Sequence, residues 1–183
     1  MTPGSARVTV VIPCYNYGRF LGEAVASALG QTHSPLEIII VDDGSTDETA
    51  AVAATFDGIV RYVYQPNQGI GATRNTGAAA ASGDFVVYLD ADDRLDPRYL
   101  AATLECLSAS PEAAYAYTQM RSFGREAGVT TSPPFDLDRL LRGNFINASA
   151  LLPVSLVRRF GYEPTLEAWQ DWDFYLTLAE HGH

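Results

Sequence analysis

Short apolar runs and helical patterns alternate along the first hundred residues. Four runs are nearly continuous in β-branched, aliphatic or aromatic residues, which predicts buried strands. These predicted strands are 8–13 (VTVVIP), 36–43 (LEIIIVDD), 59–65 (IVRYVYQ) and 84–90 (DFVVYLD). Apolar residues at helical spacing predict helices at 18–29, 45–56, 71–82 and 96–110. This alternation favours an α/β fold whose central sheet is mainly parallel and is covered by helices on both faces.

Two of the predicted helices begin with a capping signal. Ser45 and Glu48 have the spacing of a capping box. Asp96 followed by Pro97 predicts an N-cap residue with proline at the first helical position.

The second half of the chain is less regular. Residues 113–120 predict a strand, and residues 123–136 predict a loop. Helical patterns return at 137–141, at 153–160 and from Trp169 onward. We expect one domain over residues 1–183, and because the last helix is only just complete at LAEHGH, we expect the domain to continue beyond this chain.

Composition narrows the choice of function classes. The 183 residues are 47% hydrophobic and 19% charged, which is typical of a globular protein. The formal net charge of −10 and the scattered arginines argue against a nucleic-acid partner. All twelve basic residues are arginine, which excludes mechanisms that need a lysine. The two cysteines, Cys14 and Cys106, lack metal-ligand spacing and are interpreted as reduced thiols of a cytoplasmic protein.

Polar clusters follow each of the four predicted strands. They read PCYN, VDDGS, PNQGIGATRN and LDADD in chain order. Because ligands of open parallel sheets bind outside the carboxyl ends of the strands, we expect the four clusters to form one site.

The last of these clusters places Asp90, Asp92 and Asp93 within four positions. Carboxylates this close raise one another's pKa unless a cation compensates them. A calcium loop of the EF-hand type is excluded, because its sixth and twelfth positions would be Leu95 and Ala101. An aspartyl-phosphate phosphatase is disfavoured, because its Asp-x-Asp would follow the first strand. A divalent cation shared with a substrate diphosphate fits better, and an acidic loop before a helix remains the alternative.

Two other clusters contain candidate ligand contacts. Asp42 and Asp43 end the second strand, where a carboxylate can accept a hydrogen bond from a base or ribose; the alternative is a turn with an N-cap. Gly69 and Gly71 allow the backbone to approach a ligand closely. Arg74 and Asn75, one turn into the next helix, are expected to reach a diphosphate; the alternative is only a loop at the start of a helix.

A third acidic pair lies near the end of the chain. Asp171 and Asp173 flank Trp172 at a predicted helix start. Trp169, Trp172 and Phe174 are expected to form an apolar wall that raises the pKa of a carboxylate toward the range of a general base. The alternative is that Asp171 only caps the helix.

Three blocks together resemble a known enzyme family. VVIPCYNYGRFLGEAVASALGQTHSPLEIIIVDDGSTDET, NQGIGATRNTGAAAASGDFVVYLDADDRLDP and QDWDFYLTLAEHG closely resemble inverting glycosyltransferases of family 2, which have the GT-A fold. The resemblance implies a Rossmann-like nucleotide-binding sandwich that uses Mn²⁺ or Mg²⁺. It implies a nucleotide-diphosphate sugar donor, with a UDP-sugar favoured, and a carbohydrate or lipid-linked acceptor. It also implies a role in cell-surface polysaccharide or glycolipid synthesis, at the cytoplasmic face of the membrane with peripheral membrane association.

The resemblance also assigns roles to individual residues. The positions that match the family's donor site are Pro13, Tyr15, Asp43, Gly69, Arg74, Asp90, Ala91 and Asp92. Among them, Pro13 and Tyr15 match positions that line the base, and Asp43 matches the residue that reads its ring N–H. Asp92 matches the residue that ligates the metal. Asp90 matches a neighbouring position that lies close to both the metal and the donor. Asp171 matches the general base. Residues 1–96 are then the donor-nucleotide half and residues 97–183 the acceptor-side half.

Gln170 departs from the family pattern, because a glutamate usually precedes the base. This difference leaves a second hypothesis open, in which the chain is a nucleotide-sugar-binding module without catalysis. A nucleotidyltransferase is disfavoured by the absence of its glycine-rich basic opening loop. A receiver domain is disfavoured by the absence of lysine.

Overall fold

The computed structural model describes residues 6–124 and 127–183 of the protein. Its elements in chain order are β1 (Val8–Cys14), α1 (Gly18–Leu29), β2 (Glu37–Asp42), α2 (Thr49–Ala54), β3 (Arg61–Tyr64), α3 (Ile70–Ala80), β4 (Phe85–Tyr88), α4 (Tyr99–Ala109), β5 (Met120–Ser122), β6 (Gly128–Thr130), α5 (Leu137–Leu140), β7 (Leu152–Pro153), α6 (Val154–Phe160) and α7 (Gln170–Glu180).

A five-stranded sheet in the order β3-β2-β1-β4-β7 forms the centre of the fold. Strands β1 to β4 are parallel, and β7 pairs antiparallel with β4. All seven residues of the central strand β1 are buried. The four parallel strands therefore end at one edge of the sheet, as the sequence pattern predicts.

Helices cover both faces of this sheet. One face packs against α1, α2 and α4 through residues such as Leu21, Ala53 and Leu100. The other face packs against α3, α6 and α7 through residues such as Ala78 and Phe174. The predicted α/β architecture with helices on both faces is thus confirmed.

The predicted capping box of α2 is wrong, whereas the capping hydrogen bond predicted for Asp96 is present, with Pro97 in the turn before α4 instead of at its first position. Helix α2 begins at Thr49, because the hydroxyl of Ser45 accepts a hydrogen bond from the backbone N–H of Asn16 and does not cap the helix. Helix α4 begins at Tyr99, and the carboxylate of Asp96 accepts from the backbone N–H of Arg98 in the turn before it. In the first case a contact between two loops replaces the local cap.

The predicted strand at 113–120 is also largely wrong. In that segment Ala116 forms an isolated bridge with Leu151, and Met120 begins the short strand β5. Strand β5 pairs with β6, which lies inside the predicted loop 123–136. Residues 125–126 of that loop lie outside the described residues. The alternating pattern had no long neighbouring strand with which to pair.

No helix within residues 6–124 and 127–183 is both long and apolar enough to cross a membrane.

Helix α1 offers a matched pair of glycines for testing the contact between its first residue and the start of helix α2. A Cβ on Gly18 would lie 2.6 Å from the backbone nitrogen of Thr49, whereas a Cβ on Gly22 would meet nothing within 4 Å. We expect Gly18→Ala to lower the free energy of unfolding by about 1–3 kcal/mol, because backbone cannot yield as a side chain does. Gly22→Ala should raise it by roughly 0.5–1 kcal/mol, since alanine favours the helix interior. Urea denaturation of both variants checks this, and a Gly18→Ala protein as stable as the parent would contradict the contact.

Candidate functional site

The loops after β1 and β2 are fastened together at the edge where the parallel strands end. Asn16 has a left-handed backbone with φ of 57°. Its side-chain oxygen accepts from the backbone N–H of Thr46 at 2.8 Å, and its own N–H donates to the Ser45 hydroxyl at 2.9 Å. Pro13 lies buried in β1 just before this loop, and Tyr15 is 49% exposed at the edge.

The adjacent carboxylates Asp42 and Asp43 have separate surroundings. Asp42 is fully buried and accepts from the backbone N–H of Ser45 at 2.8 Å and from the hydroxyl of Tyr62. Burial and the hydrogen bond to Asp42 raise the pKa of Tyr62. Asp42 therefore fixes the turn that follows β2.

Asp43 holds the loop that follows β3. Its Oδ1 accepts from the side-chain amide of Gln65 at 2.7 Å and from the backbone N–H of Gln68 at 2.9 Å. Its Oδ2 accepts from the backbone N–H of Gly69 at 2.9 Å, and Gly69 has a φ of 87° that favours glycine. The Thr76 hydroxyl in turn donates to the Gln65 oxygen at 2.6 Å. Sequence analysis missed Gln65, although its position directly after β3 was a usable signal.

The acidic cluster after β4 opens toward solvent. Asp92 and Asp93 are exposed, Asp90 is partly exposed, and Ala91 between them is buried. Partial burial raises the pKa of Asp93, and the charges of Asp90 and Asp92 add to the rise. Asp90 forms an ion pair with Arg74, whereas Asp92 and Asp93 have no ion-pair partner among residues 6–124 and 127–183.

The donor set of this cluster fits a hard divalent cation that shares its ligands with a substrate. Within the described residues, no group of three or more His, Cys, Asp or Glu side chains is arranged to hold a metal ion. Mg²⁺ characteristically binds through one or two carboxylates and completes its coordination with substrate phosphates and water. Asp90 and Asp92 supply that number of carboxylates on an open surface.

Asp171 meets the acidic cluster through Arg74. The Nη1 of Arg74 donates to Oδ1 of Asp171, a residue 97 positions away on α7. The Nη2 of Arg74 lies 3.5 Å from Oδ1 of Asp90. Burial raises the pKa of Asp171; the Arg74 cation opposes the rise and the charge of Asp90 adds to it. Residues from α3, α7 and the end of β4 thus form one charged cluster.

Tyr162 supports this cluster and was missed by sequence analysis. The guanidinium carbon of Arg74 lies 5.3 Å from the centroid of its ring. The ring stacks on Phe174 at a centroid distance of 4.4 Å. The side chain of Asn75 exchanges two hydrogen bonds, both 2.8 Å, with the backbone of Tyr162. No local signal marks Tyr162, because it lies in the irregular segment between α6 and α7.

The three aromatic residues that were predicted to form an apolar wall beside Asp171 have different surroundings. Phe174 is buried in the core, and the indole N–H of Trp172 donates to the carbonyl of Leu140 at 2.7 Å. Trp169 is 71% exposed. The rings of Trp169 and Trp172 lie edge to face at a centroid distance of 6.1 Å, whereas the ring of Phe174 stacks on Tyr162.

The helix-capping alternative for Asp171 is also wrong. The N-cap position of α7 is occupied by Trp169, in the left-handed conformation, with no side-chain capping bond. Gln170 is buried, and its amide donates to the carbonyl of Leu166 at 2.6 Å. An ionised glutamate cannot donate that hydrogen bond.

A cleft of about 600 Å³ adjoins the acidic cluster. Its walls include Asp93, α4 and the β5–β6 hairpin. Arg94, Arg98 and Arg121 also line it. The volume lies within the usual range of small-molecule sites.

A family profile described as "Glycosyl transferase family 2" matches residues 9–161. Chondroitin synthase of Escherichia coli is 30% identical over 183 residues, which cover 96% of this chain and 27% of that protein. The chain spans about a third or less of the length of the first curated relatives it matches.

Two solved structures share the fold. S. aureus TarS in complex with UDP superposes with a TM-score of 0.77 at 22% identity, over 92% of this chain and 53% of that one. Mannosyltransferase PcManGT from Pyrobaculum calidifontis, in complex with GDP-Man and Mn²⁺, gives a TM-score of 0.73 at 23% identity, over 97% and 53% of the two chains. These likenesses confirm the expected GT-A fold.

The hydrogen bonds of Asp43 can be tested without any ligand. An asparagine places an amide N–H₂ opposite a donor whichever way its side chain is turned, since both oxygens of Asp43 accept. We expect Asp43→Asn to lower the free energy of unfolding by about 1–3 kcal/mol. The exposed Asp57 supplies the control, and Asp57→Asn should stay within about 0.5 kcal/mol of the parent. Equal stability of the two variants in urea denaturation would contradict the structural role of Asp43.

Proposed function

We propose that this chain, which belongs to glycosyl transferase family 2, transfers a sugar from a nucleotide-diphosphate sugar to an acceptor hydroxyl with inversion at the anomeric carbon. The observation that carries the proposal is the contact of one guanidinium, that of Arg74, with both Asp90 and Asp171. It brings the candidate base to the acidic cluster at which a diphosphate would bind.

The proposed donor site lies at the edge formed by the first four strands. Tyr15 would stack on the base beside Pro13, and its 49% exposure leaves its ring available to a ligand. Asp43 and Gly69 would meet the base from the neighbouring loops. A UDP-sugar is the favoured donor, and the complex of TarS with UDP supports that choice.

Asp92 and Asp90 would hold Mn²⁺ or Mg²⁺ together with the donor diphosphate. When bound, such an ion supplies positive charge that stabilises the departing nucleoside diphosphate. The open pair of carboxylates fits this role, and the Mn²⁺ in the PcManGT complex supports it. Ala91, buried between them, keeps the two aspartates on one short turn.

Asp171 would act as the general base. It would take the proton of the acceptor hydroxyl, whose oxygen forms a bond to the anomeric carbon. The bond from that carbon to the diphosphate oxygen breaks, and its electron pair leaves with the nucleoside diphosphate. The burial that raises the pKa of Asp171 favours proton uptake. A single displacement of this kind inverts the configuration without a covalent enzyme intermediate.

The acceptor would bind to the second half of the chain. Residues 1–96 would bind the donor nucleotide, and residues 97–183 would face a carbohydrate or lipid-linked acceptor. The similarity to chondroitin synthase supports a role in cell-surface polysaccharide or glycolipid synthesis. We place that role at the cytoplasmic face of the membrane, with peripheral membrane association.

A nucleotide screen tests the donor and metal sites together. Thermal unfolding of the protein would be followed with UDP, GDP or dTDP and their sugars, each with and without Mn²⁺. We expect one nucleotide family, UDP first, to raise the melting temperature only with the metal. Asp92→Ala should remove most of that rise, whereas the exposed control Asp57→Ala should retain it. A nucleotide shift in Asp92→Ala equal to that of the parent would contradict the metal site, and binding without any transfer or hydrolysis would favour a non-catalytic module.

The general base is tested by Asp171→Asn with Asp173→Asn as its neighbour on the same turn. Asparagine keeps the shape of the side chain but cannot take up the proton. We expect transfer to fall by roughly 10²–10⁴-fold, the usual contribution of general base catalysis, while donor binding stays near that of the parent. Asp173→Asn should transfer sugar normally. Near-normal transfer by Asp171→Asn, measured as nucleoside diphosphate release with acceptor present, would overturn the assignment.

A further inference from the structure

Arg74 is enclosed within the protein. The residue is 3% exposed, although the protein surface at the acidic cluster lies directly beside it. One terminal nitrogen contacts Asp171 and the other lies 3.5 Å from Asp90. The ring of Tyr162 lies 5.3 Å from the guanidinium carbon. One terminal nitrogen is therefore hydrogen-bonded to a carboxylate, and the other lies within ion-pair distance of a second carboxylate, before any donor binds.

A buried cation requires this pairing. Removing one partner of a buried ion pair leaves an uncompensated charge and is strongly destabilising. Arginine suits the position better than lysine, because its planar guanidinium presents donors in fixed directions to two separate carboxylates. A lysine ammonium is a single point charge and cannot hold both in the same geometry.

The two carboxylate oxygens of Asp171 have different hydrogen-bonding surroundings. Oδ1 accepts the hydrogen bond from Arg74. Oδ2 has no hydrogen-bond partner among residues 6–124 and 127–183, and the side chain is 27% exposed. Oδ2 is thus the oxygen of Asp171 that is left free to accept a proton.

We infer that Arg74 is a positioning residue that holds Oδ1 of Asp171 and turns Oδ2 toward the acceptor, and that it does not bind the donor diphosphate itself. Its second contact, with Asp90, sets the position of the base relative to the donor cluster. This inference rests on the proposed role of Asp171. Oδ2 takes the acceptor proton, the acceptor oxygen bonds to the anomeric carbon, and the diphosphate leaves with the electron pair of the broken bond.

Arg74→Lys separates positioning from donor binding. We expect kcat to fall about 100-fold, since a misplacement near 1 Å costs that much in rate. The Kd for UDP with Mn²⁺, measured by calorimetry, should stay within about threefold of the parent, well under the tenfold change that 1.4 kcal/mol of lost contact produces. A tenfold weaker Kd with unchanged kcat would overturn the inference and make Arg74 a diphosphate ligand. Unchanged kcat and Kd together would also overturn it.

Arg158→Lys is the matched control. Arg158 is a structural arginine that donates to the backbone carbonyls of Ala78 and Ala81 at the end of α3, at 3.0 and 2.6 Å. Its replacement should lower the melting temperature and leave kcat unchanged. A similar fall of kcat in Arg158→Lys would show that the effect at Arg74 is general destabilisation, against the inference.

A crystal structure of the unsubstituted protein with UDP and Mn²⁺ keeps the test decisive even if Arg74→Lys does not fold. Arg74 paired with Asp171 and out of hydrogen-bond reach of the diphosphate supports the inference; a hydrogen bond to a diphosphate oxygen overturns it. Failure of the proposed function would give a different result. Full transfer by Asp171→Asn would show that Asp171 is not the base. An inactive Asp171→Asn together with a fully active Arg74→Lys would contradict only the positioning role of Arg74.

Discussion

The buried guanidinium of Arg74 is the constraint on which the arrangement of the site depends. A cation taken out of water is stable only beside anions. Arg74 contacts two carboxylates, that of Asp90 after β4 and that of Asp171 on α7. The last helix of the chain must therefore dock against the sheet before the charge is neutralised. Tyr162 and its paired contacts with Asn75 hold the intervening segment against α3.

The remainder of the edge is built from side-chain acceptors that bind backbone N–H groups. Asn16 fastens the second loop to the first, and Asp43 fastens the third loop to the second. These bonds shape the edge, but they leave its charge negative at Asp92 and Asp93, which have no ion-pair partner among the described residues. A diphosphate would be repelled by that cluster unless a cation accompanied it. This charge is compatible with the metal-dependent donor site that we propose.

The sequence predicted the elements that depend on local pattern and position. The four parallel strands follow from their continuous apolar runs, and the polar residues at their ends gather at one edge because parallel strands end together. The sequence did not predict the features that depend on contacts between residues far apart in the chain. Ser45 bonds to another loop instead of capping its helix, and the hairpin of β5 and β6 lies in a segment without a clear period. Tyr162 could not be found, because only tertiary packing places its ring beside Arg74. The aromatic residues around Asp171 in the sequence marked it as a candidate base, and the resemblance to family 2 assigned it that role.

Gln170 shows why a departure from a family pattern need not mean a lost function. Its amide donates a hydrogen bond to the carbonyl of Leu166 and so stabilises the backbone turn that leads into α7. A glutamate at this position would add a carboxylate directly before Asp171, which already shares the cation of Arg74 with Asp90. Like charges in a partly buried cluster raise one another's pKa and oppose the compact state. The neutral amide therefore suits a site whose only buried cation is already shared by two carboxylates within the described part of the chain, and it leaves the Arg74–Asp171 contact undisturbed.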